Sequence, residues 1–423
     1  MISKLYLVKL WNHLEARNQF LGPARYDWGD LRSHPLIWWL GKKRAGLFAI
    51  KILQGFELIA PILWRRVLGV QRTVVPSLYY HLGLAYLSRE IVIKEIEHDV
   101  TDKACSDVLA LRLDAPHICW MHPYKHHGGQ IRDFHHHNDV PASCAHHTAR
   151  IGCMLLRVGT KHGKADFVEA GVSTANAIIA YHNVRSYNDG TCTISYYPHT
   201  DDEVINTGAD AAVLFAYVPK HKRSQMMIEY CNGLVRMIVD EQKPDGSWDY
   251  CTRRHYDKTG DTPSIDNHHS AMNLGALGNI LRTSILSDDI AADARKVLTK
   301  GMDFYLENLF LPDGTGLYEP NRRRETGVVG YSEGMSAICT ALTYPPLLPE
   351  QTHLKALEML PKLMNKALDF VIPRTGDVAC YRFFGRLNNI QSARWGSVPL
   401  MQAIMEYLAL ATQETNFKCL IDQ

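Results

Sequence analysis

The stretch best equipped for chemistry is the connection at 245–274, DGSWDYCTRRHYDKTGDTPSIDNHHSAMNL. A glycine turn there carries Trp248 and Tyr250, and DNHHS (266–270) opens a predicted helix. Consecutive histidines at a helix start point about 100° apart, so one of them can face a cavity while the other packs. An imidazole beside a carboxylate is suited to proton transfer near neutral pH. The stretch therefore indicates an acid/base site, although helix capping explains the same residue types structurally.

Aromatic and cationic side chains accompany this stretch. Trp248 and Tyr250 offer flat apolar faces with polar edges, on which sugar rings stack. A comparable set near the C-terminus comprises Tyr381, Arg394 and Trp395. An arginine that faces a cavity from a helix start binds a carboxylate or phosphate readily. The structural alternatives are aromatic rings that cover the turns of a repeat and an ion pair between hairpins.

Histidines are concentrated between residues 122 and 147, where HPYKHHGGQIRDFHHHNDVPASCAHH holds eight of them. Imidazole, carboxylate and thiolate groups are ligands for zinc and other transition metals. The segment lacks H-E-x-x-H and Cys-pair spacing, and His146 and His147 are the best placed, at the start of an apolar helix. The sequence predicts no certain cofactor, and a divalent metal such as zinc at these two residues is one hypothesis. Metal-free catalytic histidines and simple loop packing are the others.

The elements that must position these groups are helices. Apolar residues step by three and four, as in Met227, Tyr230, Leu234 and Met237, and sustained strand alternation is hard to find. Gly-containing turns followed by a Tyr recur at 243–250, 311–318 and 373–381. This spacing predicts paired helices, and helical hairpins that repeat in this way close into a ring or stack into an open solenoid. The chain length favours an all-α (α/α) toroid of repeated hairpins around a central cavity.

Composition narrows the class of protein. The 423 residues carry 46 Lys and Arg against 44 Asp and Glu, so the net charge of +2 gives no case for nucleic acid. Ten scattered cysteines without a C-x-x-C pair predict a reduced, cytoplasmic protein. The apolar segment 45–64 contains Lys51, Glu57 and Pro61, so we predict no transmembrane segment. We expect one toroid, with its first hairpins in 1–100, the others in 101–423, and a His-rich loop at 116–147.

Several segments resemble an α/α-toroid family found in bacterial polysaccharide-biosynthesis gene sets, related in shape to prenyltransferase-like and six-hairpin glycosidase toroids. Its members show an N/D-G-S/A-W-x-Y turn followed by D-N-F-H-T-G, which is similar to DGSWDY and DNHHS here. YDWGDLRSHP (26–35), SYYPHTDDEVINTGA (195–209) and the C-terminal YRFFGR…ARWGSV also match in order. The chain departs from the family at 322–334, where RRRETGVVGYSEG lacks an Asp and a His that relatives carry.

The resemblance implies roles for individual residues. His269 would face the cavity, with Asp266 as its cap or orienting carboxylate and Asn267 beside them at the substrate. The HTDDEVIN loop would join the cavity rim, where Asp202 could pair with His269 as acid and base. Stabilisation of a helix dipole is the structural explanation of that acidic loop.

These features together predict a carbohydrate-active protein of surface-polysaccharide biosynthesis or modification. An acid/base His–carboxylate site would catalyse hydrolysis, epimerisation or elimination on a glycan substrate, as a glycoside hydrolase-, epimerase- or lyase-like enzyme. Partners in a biosynthetic assembly are also expected. The alternatives are a non-catalytic glycan-binding scaffold and a metal-dependent toroid enzyme that uses the His cluster.

Overall fold

The computed structural model describes residues 3–18, 26–27, 30–34, 60–122, 143–321, 324–343, 345–383, 385–388, 390 and 392–413. Most of the His-rich loop and most of the apolar segment 45–64 lie outside these residues.

The described residues are predominantly helical. In chain order the α-helices are α1 (Lys4–Asn18), α2 (Asp30–Ser33), α3 (Pro61–Val67), α4 (Leu78–Ile93), α5 (His98–Ala110), α6 (Ala145–His162), α7 (Ala165–Tyr181), α8 (Ile205–Tyr217), α9 (Gln225–Asp240), α10 (Arg253–Thr259), α11 (Asn267–Leu281), α12 (Asp288–Asn308), α13 (Val328–Leu342), α14 (Glu350–Leu368) and α15 (Val398–Gln413). Two short antiparallel hairpins are formed by β1 (Val184–Ser186) with β2 (Cys192–Ile194) and by β3 (Tyr381–Phe383) with β4 (Arg386–Asn388). A 3₁₀ turn at Lys220–Lys222 and a π-helical turn at Ala393–Ser397 complete the described elements.

The long helices form two concentric layers. Each inner helix packs on the next in the order α4, α6, α8, α11, α13, α15, and α15 packs against α4. The outer helices α1, α5, α7, α9, α12 and α14 cover this ring. The contact between α15 and α4 closes the circle, so the predicted toroid is confirmed and an open solenoid is excluded.

One continuous hydrophobic core fills the space between the layers. It includes Leu7 and Trp11 of α1, Met154 and Leu155 of α6, and Ile404 of α15, all of them almost fully buried. Because this core runs from the first long helix to the last, the hairpins do not form separate domains within the described residues.

Glycine turns attach each late hairpin to the next outer helix. Gly246, Gly314 and Gly376 have φ values of +96°, +85° and +67°, in the left-handed region that favours glycine. A Cβ at Gly246 would lie 2.6 Å from the Lys300 carbonyl oxygen of α12, and one at Gly314 would meet the backbone of α14. A Cβ at Gly376 would collide with a histidine ring of α1. The repeated turn in the sequence therefore marks a repeated contact in the outer layer.

Two further predictions from the sequence concern transmembrane helices and the state of the cysteines. Within the described part of the chain, none of the helices combines the length and apolarity needed to cross a membrane. The cysteines of that part are buried and form no disulfide with one another.

Candidate active site

The inner helices share one direction, because an outer helix returns the chain after each of them. Residues at equal offsets from the inner-helix starts therefore lie at similar levels in the ring. Arg150, Asp210 and Glu333 each lie five residues after the first residue of their helix. Three charged side chains from three helices thus meet inside the ring, one to two turns below the inner-helix N-termini.

The first acid/base pair lies at the start of α11. Asp266 is the N-cap: one carboxylate oxygen accepts the His269 backbone N–H at 2.9 Å, and the other lies 2.6 Å from His269 Nδ1. Burial alone would raise the pKa of Asp266, but the charge and hydrogen bonds of His269 outweigh it and lower that pKa. Asp266 therefore acts both as the helix cap and as the group that orients the imidazole, and His269 Nε2 has no hydrogen-bond partner among the described residues.

A second pair is formed between α6 and α8. His146 Nδ1 lies 2.6 Å from an Asp210 carboxylate oxygen. Burial raises the pKa of Asp210 to about 7 against the opposing charge of Arg150, and burial together with the Arg150 charge lowers the pKa of His146 well below its ordinary value. The charge of His269 acts on both members of this pair, so the two pairs lie near one another.

Below the second pair, polar side chains from five inner helices cross the ring. We call this set the polar belt; it comprises Tyr80, His81, Arg150, Asp210, Glu333 and Gln402. Arg150 donates to both Glu333 oxygens at 2.7 and 3.0 Å. Burial opposes ionisation of Glu333, but Arg150, followed by His81 and His268, brings its pKa down to about 2. Glu333 is therefore a fixed anion rather than a proton carrier.

The remaining belt contacts hold neutral groups in place. His81 Nδ1 lies 2.7 Å from the Gln402 side-chain oxygen, and burial and the Arg150 charge lower the pKa of His81 to about 4. The Arg150 guanidinium lies 4.1 Å from the centre of the Tyr80 ring. A buried cation is thus shared between a carboxylate and an aromatic face.

Aromatic rings connect the two His–carboxylate pairs. Tyr196 stacks on His146 with ring centres 6.1 Å apart, and Tyr250 meets His269 edge-to-face at 4.5 Å. Both tyrosines pack against the same small cluster of buried residues. The ring of the neighbouring His268 lies 5.9 Å from Trp395. Of the predicted aromatic partners, Tyr250 therefore lies beside His269, whereas Trp395 contacts His268.

Arg394 forms an ion pair that ties the last inner helix to the N-terminal part of the chain. Its guanidinium donates to both Asp27 oxygens, at 2.8 and 3.0 Å, and approaches His122 Nε2 at 3.4 Å. The predicted anion-binding residue is thus already paired with a carboxylate.

Four predicted site residues have structural contacts instead. Trp248 is 3% exposed, donates its indole N–H to the Ile238 carbonyl and lies over Gly301 of the outer layer. Asn267 is fully buried between Tyr305 and Leu309. Asp202 accepts the backbone N–H of Tyr196 at 2.7 Å, next to the compartment, and the Tyr381 hydroxyl accepts from Asn388.

The predicted metal ligands have different partners, although their ring centres lie 5.5 Å apart. His146 uses Nδ1 for Asp210, while the buried His147 ring stacks on His122 with centres 4.8 Å apart. Among the described residues, the one group of three or more His, Cys or carboxylate ligand atoms within 4.8 Å of one another is formed by His98, Asp102 and His162. A zinc ion at His146 and His147 stays a prediction from the sequence.

Sequence reasoning missed Arg150, Asp210 and Glu333. They stand in HHTAR, NTGAD and VVGYSE, at the same distance from three helix starts, so a search for charges at equal offsets in the apolar helices would have found them. Glu333 even lies in the segment where the chain departs from the family pattern.

Comparison with known proteins gives the fold. No protein-family model matches the chain, and no curated protein matches it. Among solved structures, a glycosyl hydrolase of family 88 from Bacteroides vulgatus matches 96% of this chain and 99% of its own, with a TM-score of 0.60 and 7% identity. A sugar epimerase from a ruminal bacterium covers 80% of this chain and 90% of its own, with a TM-score of 0.57 and 11% identity.

A third match is the GH76A α-1,6-mannanase from Salegentibacter sp., with a TM-score of 0.54 and 11% identity over 81% of this chain and 91% of its own. At such low identities these matches establish the architecture, an α/α toroid of helical hairpins.

Proposed function

We propose that this chain is a carbohydrate-active enzyme that transfers protons at a sugar carbon, in an epimerisation or an elimination. One observation carries the proposal: two imidazoles, His146 and His269, each lie 2.6 Å from a carboxylate through Nδ1, and the charge of His269 acts on His146. Two oriented bases close to one another are what such a proton transfer requires.

The carboxylates fix which imidazole nitrogen reacts. A proton on Nδ1 donates to Asp266 or Asp210, so the lone pair remains on Nε2, which accepts a proton from substrate. Burial keeps His146 neutral by lowering its pKa, as a general base requires. In epimerisation one Nε2 removes the hydrogen next to a carbonyl group, and the other imidazole, protonated, returns a proton to the opposite face. In elimination the second imidazole protonates the departing oxygen.

The surroundings suit a sugar ring. Tyr196 and Tyr250 lie beside the two imidazoles, and Trp395 lies beside the neighbouring His268. The fold is shared with a sugar epimerase and with a glycosyl hydrolase, which supports a carbohydrate substrate. A reducing sugar or a uronic acid fits the chemistry, because its carbonyl or carboxylate group acidifies the neighbouring C–H bond.

Solvent-exchange NMR tests the proposal. The protein is incubated in D₂O with gluco- and manno-configured disaccharides and with oligouronates. Deuterium should enter the carbon next to the carbonyl or carboxylate group, or an unsaturated product should form. His269→Asn should abolish this exchange, whereas His221→Asn, at an exposed histidine, should leave it unchanged. Saturable sugar binding with no exchange and no new product would instead support a glycan-binding scaffold.

Hydrolysis is the second candidate, favoured by the two carboxyl groups on either side of Arg150. Asp210, with a pKa near 7, is suited to donate a proton, and Glu333 is ionised. The tight ion pair of Glu333 with Arg150 counts against its acting as nucleophile or base. Cleavage of a glycosidic bond in H₂¹⁸O with label in the new hydroxyl, and no C–H exchange, would favour this candidate.

We also propose that the reaction belongs to the assembly or modification of a surface glycan in the cytoplasm, together with partner enzymes. The support is the sequence resemblance around DGSWDY and DNHHS. Genes for glycosyltransferases and sugar-nucleotide enzymes next to this one are the expected observation, and a neighbourhood without any glycan enzyme would argue against it.

A further inference from the structure

Below the polar belt, residues at two further levels of the inner helices face the inside of the ring, and most of them are polar or small. The level eight residues after the helix starts comprises Cys153, Val213, Gly275, Ser336 and Glu406. The level twelve residues after the helix starts comprises Arg157, Asn279 and Thr340. All of them line one cavity, whose upper end is formed by Arg150, Asp210 and Glu333. Arg157 lies about 10 Å below Arg150, given 1.5 Å per helical residue.

Arg157 has no acceptor in this cavity. Among the described residues, no carboxylate oxygen lies within 4.0 Å of its nitrogens, and its guanidinium contacts only the face of Tyr217, at 5.5 Å from the ring centre. The other arginine that lines the cavity, Arg150, forms an ion pair with the Glu333 carboxylate. A half-buried guanidinium without an acceptor is costly, so an acceptor from solution stabilises it.

Glu406 faces the same space with one oxygen unused. One of its carboxylate oxygens accepts from the Gln402 amide at 2.8 Å, while the other is buried and has no hydrogen-bond partner among the described residues. Burial raises the pKa of this carboxyl, against the hydrogen bonds of Ser336 and Gln402 and the charge of Arg157. Glu406 therefore lies within electrostatic reach of Arg157 in the same cavity.

We propose that the lower half of this cavity is a binding site for a small oxyanion, a carboxylate or phosphate group, with Arg157 as its cationic anchor. The volume open to water molecules is ≈ 70 Å³. At roughly 10–15 Å³ for each water, this space suits a small acid or the anionic end of a larger molecule. The upper end of the cavity includes Asp210, the carboxylate partner of His146, so this site adjoins the proposed proton-transfer groups.

Calorimetric titration tests the site with sodium lactate, with inorganic phosphate and with lactamide, the neutral analogue of lactate. We expect lactate or phosphate to bind saturably and lactamide not to bind; the better of the two anions identifies the source of the oxyanion. Arg157→Gln should weaken binding at least about tenfold, since a charge-assisted hydrogen bond is lost. Arg295→Gln removes an exposed arginine of α12 and should leave the affinity unchanged.

Two further measurements keep the test decisive. Glu406→Gln replaces the carboxyl group by an amide, whose N–H can donate to an anion, and should bind the anion as tightly as the wild type or more tightly. Crystals of the wild type soaked in arsenate should show arsenic anomalous signal beside Arg157, which does not depend on whether Arg157→Gln folds. Absence of saturable binding by both anions, equal binding by Arg157→Gln and Arg295→Gln, or arsenate located only elsewhere would overturn the proposal.

Discussion

The regions above and below the polar belt differ in how their charged groups are paired. Above and within the polar belt, His269, His146 and Arg150 each have a carboxylate partner at 2.6 to 2.7 Å. Below the belt, Arg157 lines the cavity with no carboxylate within 4.0 Å among the described residues, and one buried oxygen of Glu406 has no hydrogen-bond partner there. Paired charges are fixed in orientation and suit chemistry, whereas charges without partners suit the capture of a ligand. This difference predicts that substitutions above or within the polar belt affect turnover and stability more than substitutions below it.

The largest expected effect is on turnover. His146→Asn should slow proton exchange by about 10²–10⁴-fold, because a positioned acid/base group contributes that much. Rates with a responsive sugar, measured beside a thermal melt, provide the check. Unchanged turnover would remove His146 from the mechanism and weaken the contrast between the two halves.

The next effect is on stability. Glu333→Ala leaves the buried Arg150 without its carboxylate and should lower the free energy of unfolding by about 3–5 kcal/mol. Glu406→Gln, in the lower half, should stay within about 1 kcal/mol of the wild type, because one oxygen there has no partner to lose. Urea unfolding of both variants gives the comparison. Equal losses would mean that the halves do not differ energetically.

The belt also predicts a pH dependence. Burial lowers the pKa of His81 from 6.5 to about 4. Between pH 4 and pH 6.5, His81 is therefore protonated in the unfolded chain and neutral in the folded chain. Stability from this group is complete above pH 6.5 and is lost as the pH falls towards 4, with a slope of up to about 1.4 kcal/mol per pH unit. His81→Asn should flatten this slope, and His221→Asn should not. Urea midpoints measured across that range decide it.

The smallest expected effect comes from a comparison of Trp248, which packs on the outer layer, with Tyr250, which lies beside His269. Trp248→Phe removes the hydrogen bond to Ile238 and part of the packing on Gly301, and should cost about 1–3 kcal/mol of stability. KM should not change, since the ring is buried away from the compartment. Tyr250→Leu, beside His269, should raise KM severalfold. A raised KM in Trp248→Phe would indicate that Trp248 contacts the substrate.

Sequence reasoning reached the fold because helical spacing and a repeated glycine turn are local signals. It also singled out Asp266 and His269, whose pairing depends only on the geometry of a helix start. It assigned Trp248 to the cavity because spacing along a turn does not determine which side of the turn a ring occupies. Arg150, Asp210 and Glu333 were missed because only ring closure brings three distant helices together.

The seam between α15 and α4 has a consequence for how this chain is made. The closing helix α15 follows the five other inner helices along the chain, so the face of α4 that it covers stays bare until α15 has been synthesised. Exposed apolar surface on an incomplete ring invites aggregation. A chaperone that shields this face until α15 has emerged would therefore favour the yield of folded protein.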